Sequence, residues 1–526
     1  MPSDTDTHAP SLNQPRMTQK TGVVRNVVAN WIGLGLNLAV AFFMSPFLVH
    51  RLGDTMYGVW ALLLALTGHM GLLDAGLRVS VVRYVSRFSA VSDTPALGRV
   101  VSTALSLYGG ISLLVVALGV GLAPLLPRLF TIPPAALPTA RVVLVITAVN
   151  LAISLLTSVF NGVLAGRQRY DHANRIGICL LVVRSVAIVL LVSRGYGILG
   201  LGLVHTGAQL LNGLWLVRYA YREVPGLRVG WSGVTRSTVK MLYGYSLFVL
   251  LNNIAMILLF SSAEVVVGVF IGAGAITYYA IAGSLLQQLS RLVGMMTQVL
   301  HPYASAQEAR GDLEGLRRTV VLGTKACMVI ALPVTLTLVV VGRTFLRFWM
   351  GERYAAVAAP LLIVLAVGRL FWLAQSSTGN VLFGVGRHRF LAVVNLCTGI
   401  ASITLGSVLA QRMGLFGLAL GMTIPIVVAQ GLIVPRVAVT VFDIPAADYW
   451  RQAYLQPLVA TLPYALALVS LHALVDPAGL GELAGVVVLA APAFVLAAYR
   501  VCFSPTERQD LKRGYVRWRT ALAGGR

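Results

Sequence analysis

NGVLAGRQRY (Asn161–Tyr170) and NVLFGVGRHRF (Asn380–Phe390) are two versions of one phrase, about 220 residues apart. A repeat of this kind decides architecture before any local detail does. A little downstream, GYGILGLGL (Gly195–Leu203) answers RMGLFGLALG (Arg412–Gly421), each opening a new apolar run. Upstream, Leu52-Gly53 followed by Tyr57 answers Ile271-Gly272 followed by Tyr278 and Tyr279. The repeat unit is read as six membrane spans. Six is even, so both copies enter the membrane with the same polarity, which predicts two parallel bundles related by an axis along the membrane normal. That is a transporter's plan.

The composition around the repeat agrees. The chain has 526 residues, of which 57% are hydrophobic and 11% charged, with a mean hydropathy of +0.81. Soluble proteins carry about 25% charged residues, so a soluble multidomain enzyme is excluded. A span needs roughly 20 mostly apolar residues. Windows of that kind fall near 27–49, 57–77, 100–124, 140–164, 174–193, 198–219, 241–262, 275–301, 319–341, 357–383, 390–410, 414–436, 456–474 and 480–501. The expectation is an all-α polytopic membrane protein of about 14 transmembrane helices: two six-helix bundles plus two C-terminal helices. Its predicted divisions are an N-terminal tail (1–24), a first bundle (25–222), a linker (223–240), a second bundle (241–438), helices 13 and 14 (439–503) and a basic tail (504–526). The 221–240 gap has room for a short surface helix or loop at most.

Residues 1–25 are polar, with Pro10 and Pro15, and lack a signal peptide's apolar core and cleavage site, so the first span is expected to act as an uncleaved insertion signal. The 41 basic against 18 acidic residues give a formal charge of +23. With the N-terminus inside, about 30 of those cations fall in inside segments, about 8 outside and 3 in spans. Both termini are therefore expected in the cytoplasm. The excess charge reads as positive-inside bias and attraction to anionic lipid, with no nucleic-acid partner. Cys179, Cys327, Cys397 and Cys502 fall in apolar runs without metal-ligand spacing and are read as small buried hydrophobes, so no metal site is expected.

Three arginines fall inside spans: Arg184, Arg291 and Arg369. A mid-bilayer charge costs about 2.5–3.5 kcal/mol on insertion scales, so such residues face a wet cavity or a partner. Arg291 shares a helical stripe with Gln287, Met295 and Gln298, and Arg369 one with Trp372, Ser376 and Asn380. Asn26, Asn30, Gly33 and Asn37 line up on the first span, while Asn252 and Asn253 mark the seventh. Each reading has a blander rival. An arginine near a span end snorkels, amides join helices, and His69 and His205 are more often packed than proton-carrying.

Acidic residues are nearly absent from the spans; only Asp74 and Glu264 lie close to the membrane interior. Arginines without carboxylates suit an anionic substrate rather than a cation. Arg78 and Arg83 extend the positive path to the cytoplasmic mouth. No GxxxxGK[ST] loop occurs, so the energy must come from an ion gradient, membrane potential or mass action. HExxH and GxSxG are absent too, and no catalytic residues are assigned.

The segment FLVHRLGDTMYGVWALLLALTGHMGLLDAGLRVSVVRYVSRF (Phe47–Phe88) strongly resembles the opening of the polysaccharide transporter family, the Wzx-type oligosaccharide flippases. The matching positions are Gly53, Asp54, Tyr57 and Gly58 in a GDxxYG turn, Leu72, Leu73, Asp74 and Gly76 in an LLDxG motif, and Arg83. Val265–Arg318, including Pro302, resembles the family's seventh-to-eighth helix region, and Gly384–Arg387 its GxxR stretch. The resemblance implies a MATE- and MurJ-like member of the multidrug/oligosaccharidyl-lipid/polysaccharide exporter superfamily, in a bacterial inner membrane. Its relatives flip polyprenyl-diphosphate-linked oligosaccharides from the cytoplasmic to the periplasmic leaflet for O-antigen or exopolysaccharide synthesis.

The cargo so implied is a polyprenyl-diphosphate-linked glycan, with membrane lipid around it and a polysaccharide polymerase and chain-length regulator as candidate partners. Arg291, Arg184, Arg369, Arg83 and Arg78, with Gln287, are the candidates for the anionic headgroup; Trp372, Tyr278 and Tyr279 are candidates for sugar stacking. Helices 13 and 14 are candidates to guide the lipid tail. Many relatives carry aspartate near Glu264, so Glu264 and Asp74 are ion-coupling candidates for a proton or sodium ion, with no other cofactor expected. Ser284 stands where the lipid II flippase branch has an arginine, and the first turn lacks that branch's RDxxxA pattern. The rival readings are a MATE-like drug antiporter, a lipid II flippase, and a membrane glycan enzyme.

Overall fold

The computed structural model describes residues 16–74, 76–230, 233–243, 247–504 and 508. Among them every regular element is helical, as lipid demands: without water to satisfy backbone N–H and C=O groups, only helices or closed barrels can span. The side chains of Asn26 and Asn30 lie outside the described residues.

Nine helices among the described residues are long and apolar enough to cross a membrane, or ten if a bent pair counts as one span. The difference from fourteen has local causes. Two of the nine run through a glycine in a conformation other residues avoid: Gly53 (φ 74°, ψ 165°) in Arg16–Met70 and Gly414 (φ 58°, ψ −141°) in His388–Val428. Gly197–Glu223 and Ala273–Thr297 fall outside the nine, diluted by His205, Gln209 and Asn212 in one and Gln287, Gln288 and Arg291 in the other.

The internal repeat is visible in the backbone. Both versions of the opening phrase form a helix end, a three-residue turn and a helix start: Leu137–Gly166 gives way to Tyr170–Ser193, and Ser376–Gly384 to His388–Val428. The downstream echo places Gly197 (φ 53°) and Gly414 (φ 58°) alike.

Three boundaries differ from expectation. The seventh span was expected to end at 262, but Leu250–Phe260 bends by 49° at Ser261-Ser262 and continues as Ala263–Phe270. Glu264 therefore lies within the bent span rather than after it. The eighth ends at Thr297, and Leu300–Ala309 is a separate helix. The tenth breaks at Gln375, whose buried amide donates to Tyr449 (3.0 Å) and to Tyr454. The 221–240 gap ends in the short helix Arg236–Tyr243, tied to the first half by the Ser80 hydroxyl on the Leu242 carbonyl (2.9 Å).

Within each half, helices meet at small residues, the usual device where lipid supplies no hydrophobic drive. A Cβ on Gly421 would lie 2.4 Å from the Gly406 backbone, and one on Gly213 2.3 Å from Thr157. Gln456–Val475 and Leu480–Val501 pack on each other and on Leu313–Met350, outside the two bundles, with Leu466, Leu474, Val488 and Leu489 exposed. The cysteine expectation is half corrected: Cys327 and Cys502 are buried, but Cys179 and Cys397 are exposed.

Candidate functional site

The first and second halves meet at one end of the bundle, and the centre of that seam is Asp54. Gly53 turns the chain there and sets Asp54 at the start of a helix, where its carboxylate is mostly buried (13% exposed). Its oxygens accept hydrogen bonds from the hydroxyls of Tyr354 (2.5 Å) and Tyr278 (3.1 Å) and pair with Arg353 (2.6 Å). The Thr277 hydroxyl donates to the Asp54 carbonyl (2.7 Å). Close beside it, a Cβ on Gly58 would meet the Ala273 carbonyl oxygen at 1.8 Å, so only glycine fits. Thr131 exchanges backbone hydrogen bonds with Gly268 (3.0 Å) and Ala273 (3.2 Å). The Trp349 indole donates to the Phe42 carbonyl (2.8 Å) while its ring stacks on Phe42 (5.7 Å).

The His50 ring also meets the Met350 carbonyl here (3.1 Å), and deeper between the halves His69 Nε2 lies 2.9 Å from Ser262 Oγ.

Two cavities adjoin Ala273–Thr297. The first is a chamber of about 260 Å³ inside the second half, lined by Leu259, Phe260, Glu264, Tyr279, Ala280, Gly283, Ser284, Leu286, Gln287, Leu365, Gly368, Arg369, Met422, Thr423 and Ile426. Arg369 is held over the Phe260 ring, 4.1 Å from its centroid, and Trp372 stands edge-on to the same ring at 5.0 Å. Phe260 thus positions both. Glu264 is half-buried, and its Oε2, shielded from solvent, has no hydrogen-bond partner. A buried polar atom left unpaired costs about 1–3 kcal/mol, which marks a place for a proton, ion or water.

The second cavity is a mostly apolar groove of about 410 Å³ between the first helix and Ala273–Thr297, lined by Leu38, Ala39, Ala41, Phe42, Ser45, Ser284, Leu285, Gln288 and Trp349. Gln288 Oε1 is buried there without a partner. Ser284 lines both cavities, so a mixed chamber bearing Arg369, Glu264 and Gln287 and an apolar groove adjoin across one helix.

The chamber brings together Arg369, Gln287, Tyr279 and Glu264, with Trp372 behind Phe260. Arg291 lies one turn beyond Gln287 on the same face and is exposed, with Met295 and Gln298 continuing the stripe. Arg184 is half-buried on the first half's Tyr170–Ser193, away from this group. Arg78 and Arg83 are exposed on Leu77–Ala90. Tyr278, read as a sugar contact, is instead engaged by Asp54 at the seam. Asp74 accepts from the Tyr108 hydroxyl inside the first half. The amides of Asn252, Asn395 and Gln430 form a chain (3.3 and 3.2 Å) that joins helices.

Sequence reasoning quoted Asp54 but gave it no role, and it missed Arg353, Tyr354, Phe260 and Gln288. The available signal was Asp54 itself, a carboxylate at a helix start beside a left-handed glycine, in a chain with few carboxylates.

Comparison with known proteins places this geometry. The profile of the family described as polysaccharide biosynthesis protein matches residues 49–359. An uncharacterized membrane protein of Bacillus subtilis, EpsK, is 22% identical over 417 residues, covering 78% of this chain and 82% of its own length. A putative O-antigen transporter of Shigella flexneri is 19% identical, covering 77% and 95%. Among solved structures, the fold is similar to an inward-facing multidrug resistance MATE transporter of the MOP superfamily, with TM-score 0.63, 16% identity and coverage of 78% and 94%. It is also similar to the lipid II flippase MurJ in an inward closed conformation, with TM-score 0.61, 14% identity and coverage of 88% and 97%.

Proposed function

The chain belongs to the polysaccharide biosynthesis protein family, and from that premise we propose that it flips a polyprenyl-diphosphate-linked oligosaccharide from the cytoplasmic to the periplasmic leaflet. The observation that carries this reading is the meeting of two unlike cavities at Ser284. The cargo has a charged, sugar-bearing head and a hydrocarbon tail. A chamber bearing an arginine, a carboxylate and an amide suits the head, and an apolar groove at the first helix suits the tail, so the tail stays in hydrocarbon while the head crosses. Arg369 and Arg291 attract the diphosphate; Gln287 and Tyr279 are placed for the sugar, with Trp372 bracing Phe260 from behind.

In this mechanism the seam at Asp54 closes the outer end while cargo loads from the basic, cytoplasmic end. Outward release requires that seam to part and the opposite ends to close. Glu264 supplies the coupling site for a proton or sodium ion. The putative O-antigen transporter relative supports a glycan cargo, and a polymerase and chain-length regulator would act on the product. The membrane is taken to be the bacterial inner membrane, with both termini cytoplasmic.

The test is the leaflet-resolved pool of polyprenyl-diphosphate-linked glycan, identified by mass spectrometry, in wild-type and deletion cells. Accumulation on the cytoplasmic side with loss of surface polysaccharide is expected. Unchanged pools and an unchanged surface would sink the reading. A drug antiporter is the second reading, favoured by the unpartnered, solvent-shielded carboxylate oxygen of Glu264; it requires hypersensitivity to cationic dyes on deletion.

A further inference from the structure

We propose that a pocket at the basic end of the second half, apart from the transport cavities, binds the headgroup of an anionic glycerophospholipid. The pocket has a volume of about 730 Å³ and lies where the start of Leu313–Met350 meets the helical segment 446–456 that leads into Gln456–Val475, and the end of Leu480–Val501. It shares no lining residue with the Arg369 chamber or the apolar groove.

Its chemistry is that of an anion site. Six cations line it, Arg318, Arg451 and Arg500 among them, against two carboxylates, Glu314 and Asp448. The structure already engages some of these cations: Arg317 pairs with Asp443 (2.5 Å), and the buried Lys325 ammonium donates to the Cys502 carbonyl (2.6 Å). Arg508 donates to the carbonyls of Phe503 (2.8 Å) and Arg500 (2.5 Å), neutral acceptors that carry no countercharge. Arg318, Arg451 and Arg500 are exposed at the pocket and make no ion pair among the described residues. Basic pockets between spans on the cytoplasmic side are the arrangement that recognises phosphodiester headgroups.

The surroundings favour a lipid over free phosphate. Next to the pocket along Gln456–Val475 and Leu480–Val501, Leu458, Val459, Leu462, Val495 and Leu496 are 42–62% exposed. A molecule whose phosphate sits in the pocket finds an apolar wall for its acyl chains one turn further in. A soluble anion would gain nothing from that wall. Bound there, the lipid ties helices 13 and 14 to Leu313–Met350 of the second bundle.

The test uses the purified full-length protein in detergent, titrated with phosphatidylglycerol, cardiolipin, phosphatidylcholine or inorganic diphosphate and read by native mass spectrometry and thermal midpoint. Phosphatidylglycerol or cardiolipin is expected to stay bound and raise the midpoint, and phosphatidylcholine is not. The Arg318→Gln/Arg451→Gln variant should lose about thirtyfold in affinity for the anionic lipids, the factor two cations near an anionic headgroup supply. Arg343→Gln, at the opposite end, should bind as wild type. Equal binding of phosphatidylcholine, full retention by the double variant, or equal protection by diphosphate would overturn the assignment. If the double variant fails to fold, Arg318→Glu and the salt dependence of wild-type binding decide the matter: affinity indifferent to both removes the site.

Discussion

Arg353 and Asp54, 299 positions apart in the chain, meet at 2.6 Å across the seam between the two halves, with Tyr278 and Tyr354 bonded to the same carboxylate. The arginine is 74% exposed and the carboxylate 13%, so the charge pair stands at the mouth of the seam and the tyrosines inside it. An exposed pair contributes little on its own, whereas a buried hydroxyl on a carboxylate contributes more.

Tyr354→Phe should therefore loosen the seam more than Arg353→Gln. Loss of one hydrogen bond to a charged acceptor costs about 1.5–3 kcal/mol, a shift of about ten- to a hundredfold toward the outer-open form. Alkylation of a cysteine placed at Gly274, in a background lacking other cysteines, by a membrane-impermeant maleimide reads this directly. Equal labelling in wild type and Tyr354→Phe would show that the hydroxyl does not hold the seam.

Gly58→Val should prevent proper closure at the same place. Its side chain has no space against the Ala273 carbonyl, and overpacking of this kind costs about 1–3 kcal/mol or more. A lowered thermal midpoint together with raised Gly274→Cys labelling is expected; an unchanged midpoint would mean that the halves separate there freely.

Arg291→Ala should reduce transport at least about tenfold, and Arg291→Lys less, because the charge rather than the guanidinium fork is what attracts a diffuse diphosphate. The measurement is cytoplasmic-leaflet accumulation of lipid-linked glycan at matched protein levels. Wild-type transport by Arg291→Ala would place this side chain outside the path.

Ser284→Trp should block the junction of chamber and groove without unfolding the protein, since both adjoining spaces are open, whereas Ser284→Ala should transport normally. Retained transport by Ser284→Trp would disconnect the two cavities from the cargo's route.

Glu264→Gln should fold at least as well as wild type, because it removes a half-buried carboxylate with an unbonded, solvent-shielded oxygen. Transport in vesicles should then lose its response to an imposed proton or sodium gradient. A retained response would move the coupling site elsewhere.

The helical architecture and the repeat were legible because both are local. Hydropathy marks a span within its own 20 residues, and a repeated turn keeps its glycine, as Gly197 and Gly414 do. The bend at Ser261-Ser262 was not legible: the two serines looked like the end of a span, and only the helix beyond them shows otherwise. The Asp54 cluster was hidden for a different reason. Its four partners, Thr277, Tyr278, Arg353 and Tyr354, come from two helices more than 220 residues away, and no periodicity in sequence encodes their convergence. The stripe of Arg291 runs along one helix, but that of Arg369 is cut by the break at Gln375, and a helical face does not say which cavity it meets. Phe260 does that for Arg369 and Trp372.

Converging several donors on one carboxylate has a kinetic consequence. If each donor had its own acceptor, the seam could come apart a bond at a time, with a ladder of half-open forms of nearly equal energy. With a shared acceptor, moving Asp54 away breaks the Arg353, Tyr278 and Tyr354 contacts together, and no rung exists on which the motion can pause. The outer end then behaves as a toggle, open or shut, which limits leakage of ions and water through a partly parted bundle during each turnover.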